Sequence, residues 1–538
     1  MTAVPVPANS ELPSPDGSPE PVDVGRAPNP AGSSPGRARA RLGRPHAAVV
    51  RPADTDPMVA AATERIGGRL GQRVRGTFGF LSPLRILVLL TTLSFGLAYL
   101  QKLPCRLESF GGGSNFSRLC YSDIPPLYIA RGFAQGLIPY IDPSGDRPLE
   151  YPVLTGWFMQ LASWITGRGG SVGERTVAFF DVNAVLLFAC LMITVLATGL
   201  TVRRRPWDAA FVVLAPGTIL CMLVNWDMLA VAFTALSMLM WARKHTFWSG
   251  LFLGLAIASK FYPLLLLGPL LLLCLRAGRM RAFGSVLVGT VLSWAVVNVP
   301  LMLASFDGWA EFYRFSSTRG ADWGSIWYVL ISLRHPIPAD SLNTVATGVL
   351  GLLLVGVVVL AMAARRRPRY AQLAFLVVAA FCLTNKVYSP QYVLWLVPLA
   401  ALARPRWRDF LVWQAGEIVY FVAIWLFLLG YGTGNNNKAL DEGWYVAAIV
   451  IHLGLTLWFA GMIVRDILRP EHDPIRSDGR PEHTDDPGGG VLDGAQDWLV
   501  PRWLQAREEA GPEAVLVGVG APGPGASDVA APDVPRQD

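Results

Sequence analysis

Arginine clusters alternate with long apolar blocks through the middle of this chain, and that alternation restricts the fold more than any other feature. Arg203–Arg205, Arg243-Lys244, Arg276/Arg279/Arg281, Arg365–Arg367 with Arg369, Arg404/Arg406/Arg408 and Arg465/Arg469 each close an apolar block. Arginine beside an apolar run marks the cytoplasmic end of a membrane span. With every cluster inside, an even number of spans must separate neighbours. Only 16% of the 538 residues are charged, against roughly 25% in soluble domains, so an ordinary soluble enzyme is excluded. The net charge of +7 then reads as membrane orientation and not as a nucleic-acid surface.

The pattern predicts an all-α polytopic membrane protein with about twelve transmembrane helices. Residues 1–82 and 466–538 are polar and rich in Pro and Gly, so both are expected to be disordered cytoplasmic tails. They flank a transmembrane domain at 83–465. Residues 101–175 form a first outer loop that includes 151–166 as a juxtamembrane helix; were 151–166 a span, Arg203–Arg205 would fall outside. A second outer loop covers 304–342. The expected location is the cell membrane, multi-pass, with both termini cytoplasmic and the site facing outside.

Blocks 207–242, 246–275 and 371–403 are shorter than the roughly 40 residues that two full spans need. Their helix pairs must turn early. Polar backbone at that depth is tolerated only against protein or a water-filled cavity. The turns hold Asn225-Trp226-Asp227, Ser259-Lys260-Phe261-Tyr262-Pro263 and the segment from Asn385 to Gln391. Each carries a charge, and two share Lys-x-Tyr followed by Pro. A cavity lined by three charged turns and open to the outer side is therefore predicted.

Lysine occurs only at 102, 244, 260, 386 and 438. A Lys in a membrane block costs about 2.5–3.5 kcal/mol on insertion scales. Lys260 and Lys386 suit an anionic group such as a lipid phosphate; snorkelling, or a structural pair with Asp227, is the alternative. Asp227 could balance a Lys or bind a sugar hydroxyl. Asp123, just before Pro125-Pro126, is either a helix N-cap or a site carboxylate. Trp309, Tyr313, Arg314, Arg319, Asp322, Trp323 and Trp327 suit either sugar stacking or an interfacial aromatic belt. His335 is a proton-transfer candidate or a solvated loop residue. Cys105 and Cys120 bracket Gly111-Gly112-Gly113 and are predicted to form a disulfide in an oxidising compartment. Walker and metal-spaced patterns are absent from the sequence, so nucleotide-driven transport and zinc hydrolysis lack support.

Tyr121-Ser122-Asp123, then Arg131-Gly132, Gly136, Pro139-Tyr140 and Glu150-Tyr151-Pro152, together with the hairpin strings Gly250–Pro263 and Asn385–Pro398, carry a resemblance. Over about 84–465 the chain resembles the GT-C glycosyltransferases, and within them glycosyltransferase family 87, the polyprenyl-phosphate-mannose-dependent mannosyltransferases of actinobacteria. Val153 stands where the family would have a second Pro, and Asp123 stands without a second acidic neighbour. The resemblance implies a GT-C-like fold and inverting transfer of a sugar, mannose first, from a polyprenyl-phosphate donor to a cell-envelope glycolipid or glycan. It implies Asp123 as general base. Lys260, Lys386, Tyr262, Tyr388 and Gln391 are expected around the donor phosphate. Arg131, Glu150, Tyr151, Asn225, Asp227 and His335 are expected around the rest of the substrates. No metal and no cofactor is expected, the lipid-linked sugar being a substrate. A secondary transporter or lipid flippase is the rival reading. It gives no use to an ordered first outer loop.

Overall fold

A computed structural model describes residues 49–67, 82–111, 114–142, 148–433 and 438–499. Most of the expected tail 1–82, and residues 500–538 of the other, lie outside this set. The helices of seven or more residues are α1 (Pro57–Gly67), α2 (Pro83–Leu107), α3 (Ile124–Ala130), α4 (Val153–Thr166), α5 (Val172–Thr201), α6 (Asp227–Ala242), α7 (Thr246–Ser259) and α8 (Leu267–Arg276). They continue with α9 (Met280–Ala304), α10 (Phe306–Thr318), α11 (Ile326–Ser332), α12 (Ala339–Ala363), α13 (Tyr370–Thr384), α14 (Val393–Ala403), α15 (Trp407–Thr433) and α16 (Glu442–Leu468).

Six of these, α2, α5, α9, α12, α15 and α16, are long and apolar enough to cross a membrane. Five apolar helical stretches are shorter, at Asp227–Ala242, Thr246–Ser259, Tyr262–Arg276, Tyr370–Thr384 and Pro390–Ala403. The 14 residues of α7 span only about 21 Å at 1.5 Å per residue, less than a hydrocarbon core of about 30 Å. The three early-turning blocks are thus short in the structure as well. A count of twelve would need residues 206–224 as one more crossing. That stretch is broken into a 3-10 turn and two short helices, Ala210–Val213 and Pro216–Cys221, so the described helices do not establish twelve.

The weak repeat in sequence is a repeat in structure. Lys260 ends α7, and a 3-10 turn at Tyr262–Leu266 leads into α8; Lys386 follows α13, and a 3-10 turn at Pro390–Tyr392 leads into α14. Pro263 and Pro390 lack the N–H that would continue a helix and sit at the first turn of the next element, where Pro is tolerated. Within the membrane, α7 and α9 approach closely through Gly250, Gly254 and Gly289. A Cβ on Gly250 or Gly254 would strike the backbone of Val286 or Thr290, the small-residue contact that holds membrane helices together.

The arginine clusters do share one face, and a C-terminal segment collects them. Arg369 pairs with Asp473 at 2.8 Å, Arg205 with Asp478 at 3.1 Å, Arg276 with Asp497 at 2.7 Å and Arg367 with Asp485 at 3.3 Å. Arg404 is held by Asp409 and Asp466. Residues 466–499 therefore depart from the expected disordered tail. Helix α16 runs to Leu468, and the stretch beyond it is ordered by acidic side chains meeting guanidinium groups that would otherwise be buried without counter-charge. On the opposite face Cys105 and Cys120 form the predicted disulfide, their Cα atoms 5.8 Å apart.

Two outcomes follow. Without reductant, neither Cys105 nor Cys120 takes up an alkylating reagent; full labelling of both would contradict the bond. Asp473→Ala leaves the Arg369 guanidinium, 2% exposed, without its carboxylate. Breaking a buried pair on one side costs about 3–5 kcal/mol, so the thermal midpoint in detergent should drop clearly. An unchanged midpoint would show that the segment after α16 does not stabilise the bundle.

Candidate active site

Each of the three turns is fastened by hydrogen bonds to another part of the chain. At the first, Ser122 Oγ donates to Leu223 O at 2.8 Å, and the Asp123 backbone N–H donates to Val224 O at 2.7 Å. At the second, Thr155 Oγ1 of α4 donates to Ser259 O at 2.6 Å. At the third, the Asp322 N–H donates to Lys386 O at 2.9 Å, and Tyr420 Oη donates to Tyr388 O at 2.9 Å. These bonds satisfy helix-end groups that water would otherwise have to reach. Lys102 in α2 is fully buried and donates to Tyr121 O at 2.7 Å. With the disulfide it fixes the strand of chain leading to Asp123.

Between the turns and the segments bonded to them lies a cavity of about 520 Å³. Its charged lining is Asp123, Arg131, Glu150, Lys260 and Arg319. Asn225 and Gln391 add neutral polar groups, and Tyr121, Tyr151, Tyr392 and Trp425 add aromatic walls. Asp123 occupies the N-cap position of α3, yet its side chain makes no capping hydrogen bond. The carboxylate is half-buried and opens into the cavity. Burial pushes the carboxyl up to about 6; a hydrogen bond from the Tyr121 phenol and the charges of Lys260 and Arg319 oppose that rise, while Asp227 adds to it.

Lys260 Nζ pairs with Asp227 Oδ1 at 2.8 Å and lies 5.0 Å from the centre of the Tyr151 ring. Asp227 is itself buried behind the cavity wall, its backbone N–H donating to Asn225 Oδ1 at 3.0 Å. Arg131 and Glu150 form a two-pronged pair, with both contacts at 2.7 Å. Both line the cavity. Phe116, Tyr121 and Trp425 form a contiguous stack, the Tyr121 and Trp425 rings 4.6 Å apart.

Besides Asp227, four expected residues do not line the cavity. Lys386 is not at the cavity: its ammonium donates to Ser316 O, Ser317 O and Arg319 O at 3.0, 3.3 and 2.6 Å, which uses its three protons. Tyr262 is buried against Trp395, with ring centres 4.6 Å apart, and its hydroxyl meets Thr234. Tyr388 is fully buried against His452, 4.2 Å between rings. His335 is exposed in the loop after α11 and does not line the cavity. Conversely, Arg319, Tyr121 and Trp425 line it, and Lys102 supports it, without having been singled out as site residues. Among the described residues no group of three His, Cys, Asp or Glu side chains is placed to hold a metal ion.

The Lys260–Asp227 pair is open to a double-mutant test. Lys260 is 17% exposed and Asp227 0%, so Lys260→Met strands a buried carboxylate and should destabilise by a few kcal/mol. Adding Asp227→Asn removes the stranded charge and should recover part of that loss. Simple addition of the two single losses in thermal unfolding would show that the side chains do not interact.

Residues 150–385 match the family model described as Glycosyltransferase family 87. The matched stretch begins at the Glu150-Tyr151-Pro152 segment and contains Asn225, Asp227, Lys260 and Arg319; Asp123 precedes it. No curated protein matches the chain. Over the matched stretch the chain is similar to glycosyltransferase family 87, a likeness that implies a membrane glycosyltransferase.

Proposed function

We propose that the protein transfers a sugar, with mannose the first candidate, from a polyprenyl-phosphate donor to a glycolipid or glycan acceptor at the outer face of the cell membrane. Asp123 is the general base and Lys260 a counter-charge for the leaving phosphate. The observation that carries this reading is the Asp123 carboxylate. It sits at a helix N-cap but does no capping, and it faces a cavity whose lining holds three cations to two carboxylates.

In the reaction, the acceptor oxygen attacks the anomeric carbon while Asp123 accepts the hydroxyl proton. The bond from that carbon to the phosphate oxygen breaks, and its electron pair leaves with the prenyl phosphate. One displacement inverts the anomeric centre, so a β-linked donor gives an α-linked product. Lys260 stabilises negative charge as it develops on the leaving oxygen, an electrostatic effect strengthened where water is scarce. Asn225, Gln391 and the Arg131–Glu150 pair supply donors and acceptors for sugar hydroxyls. The Tyr121–Trp425 stack offers an apolar face for a pyranose ring. The prenyl chain passes into the bilayer between helices. Both termini lie in the cytoplasm in this scheme, and neither a metal nor a cofactor takes part.

Asp123→Asn separates base from cap, because Asn caps about as well as Asp. Transfer from a defined prenyl-phospho-sugar should fall by about 100-fold or more, the usual contribution of a general base. The thermal midpoint at neutral pH should not fall, since Asn removes a carboxylate that burial disfavours. Near-normal transfer would remove Asp123 from the chemistry. The pH profile gives a second check. The base works only when ionised, so the rate should rise tenfold per pH unit below about 6, the value to which burial raises this carboxyl, and level off above it. A rate flat from pH 4.5 to 7.5 would contradict the assignment.

A further inference from the structure

A second cation, Arg319, reaches the cavity from the outer segment after α10, and its surroundings have the form of a mount. The Arg319 Nε and Nη2 groups both donate to one oxygen of Asp322, Oδ2, the Nε contact at 2.8 Å. The other oxygen accepts from the Trp323 N–H at 2.7 Å. Nη1 has no hydrogen-bond partner among the described residues, and Arg319 belongs to the lining that contains Asp123 and Lys260. The Phe315 ring lies 5.5 Å from the guanidinium carbon.

Lys386 secures that mount from outside the cavity. Its ammonium gathers the carbonyls of Ser316, Ser317 and Arg319, the last at 2.6 Å, at the C-terminal end of α10. There a cation is favoured by the helix dipole. The Lys386 carbonyl in turn accepts the Asp322 N–H at 2.9 Å. Arg319, Asp322 and Lys386 therefore form a closed ring of bonds between the outer segment and the third turn. A ring that only joined two segments would not need a guanidinium with unused N–H groups in the lining of a cavity that holds three cations to two carboxylates.

We propose that Arg319 is the second cation of the donor-phosphate subsite, shared with Lys260, and that Lys386 is the positioning residue that holds it there. This rests on the transferase reading above. A planar guanidinium with one edge anchored on Asp322 presents its free N–H groups in the fork that suits phosphate oxygens. The ligand class is a phosphomonoester or phosphodiester attached to an isoprenoid chain.

Binding of a short-chain prenyl phosphate, and of the matching prenyl alcohol, to the purified full-length protein in detergent tests this without turnover. The wild type should prefer the phosphate. Arg319→Gln should weaken phosphate binding by about tenfold or more, as expected for a charged hydrogen bond, and leave alcohol binding unchanged. Arg319→Lys should recover part of the loss. Lys386→Met should weaken phosphate binding by a smaller factor. Combined with Arg319→Gln it should add nothing, because it acts through Arg319. Wild-type phosphate affinity in Arg319→Gln would overturn the assignment and leave Asp123 and the transferase reading standing. Full additivity of the two losses would overturn the positioning role. No preference for the phosphate in the wild type would overturn both this subsite and the proposed donor.

Discussion

Helices too short for the bilayer leave their ends at a depth where an unpaired polar group costs several kcal/mol. The architecture around the cavity follows from that cost. The ends near Asn225, Lys260 and Lys386 cannot all rely on water, so other parts of the chain meet them: Ser122 and Asp123 at the first turn, Thr155 at the second, Asp322 and the Tyr420 hydroxyl of α15 at the third. Where those contacts stop, the remaining polar surface encloses a space of about 520 Å³ lined by Asp123, Lys260 and Arg319. The site is thus the unfilled part of a problem of backbone satisfaction. Its side chains are held by elements that must be there in any case.

The same logic separates the two lysines. Lys260 and Lys386 sit in almost the same local string, at equivalent places in two similar hairpins. Lys260 finds a buried carboxylate beside it, Asp227, and stays at the cavity. Lys386 finds the carbonyl end of α10 and donates its hydrogen bonds there. What differs is the segment that arrives, and that segment is about seventy residues away in sequence for Lys386. Local pattern could locate both lysines in turns. It could not choose between their fates.

Much of the rest was legible. Block length alone gave the early turns and the cavity, because helix rise is fixed. One-sided arginines gave a common face, and the loop cysteines gave the disulfide. Asp123 stood out by its place, although only the structure could show that its side chain is not spent on capping. Arg319 was hidden in an aromatic and charged stretch that fits an interfacial belt equally well. The Pro and Gly content of 466–538 suggests disorder, yet 469–499 is ordered. Its order comes from pairs such as Arg205–Asp478 and Arg276–Asp497, whose partners lie more than two hundred residues apart, and composition carries no trace of such pairing. Tyr262 and Tyr388 illustrate the opposite error: next to turn lysines they look like ligands, yet aromatic packing against Trp395 and His452 buries them.

The central claim is a single displacement in which a carboxylate takes the acceptor proton as phosphate leaves. The product's anomeric configuration tests it most directly. Purified protein is incubated with a β-linked mannosyl prenyl phosphate and a mannoside acceptor, and the new linkage is assigned by the one-bond carbon–hydrogen coupling at the anomeric position. The account predicts an α-linkage from the first turnover onward. A β-linkage, or release of sugar only to water in the presence of acceptor, would contradict it.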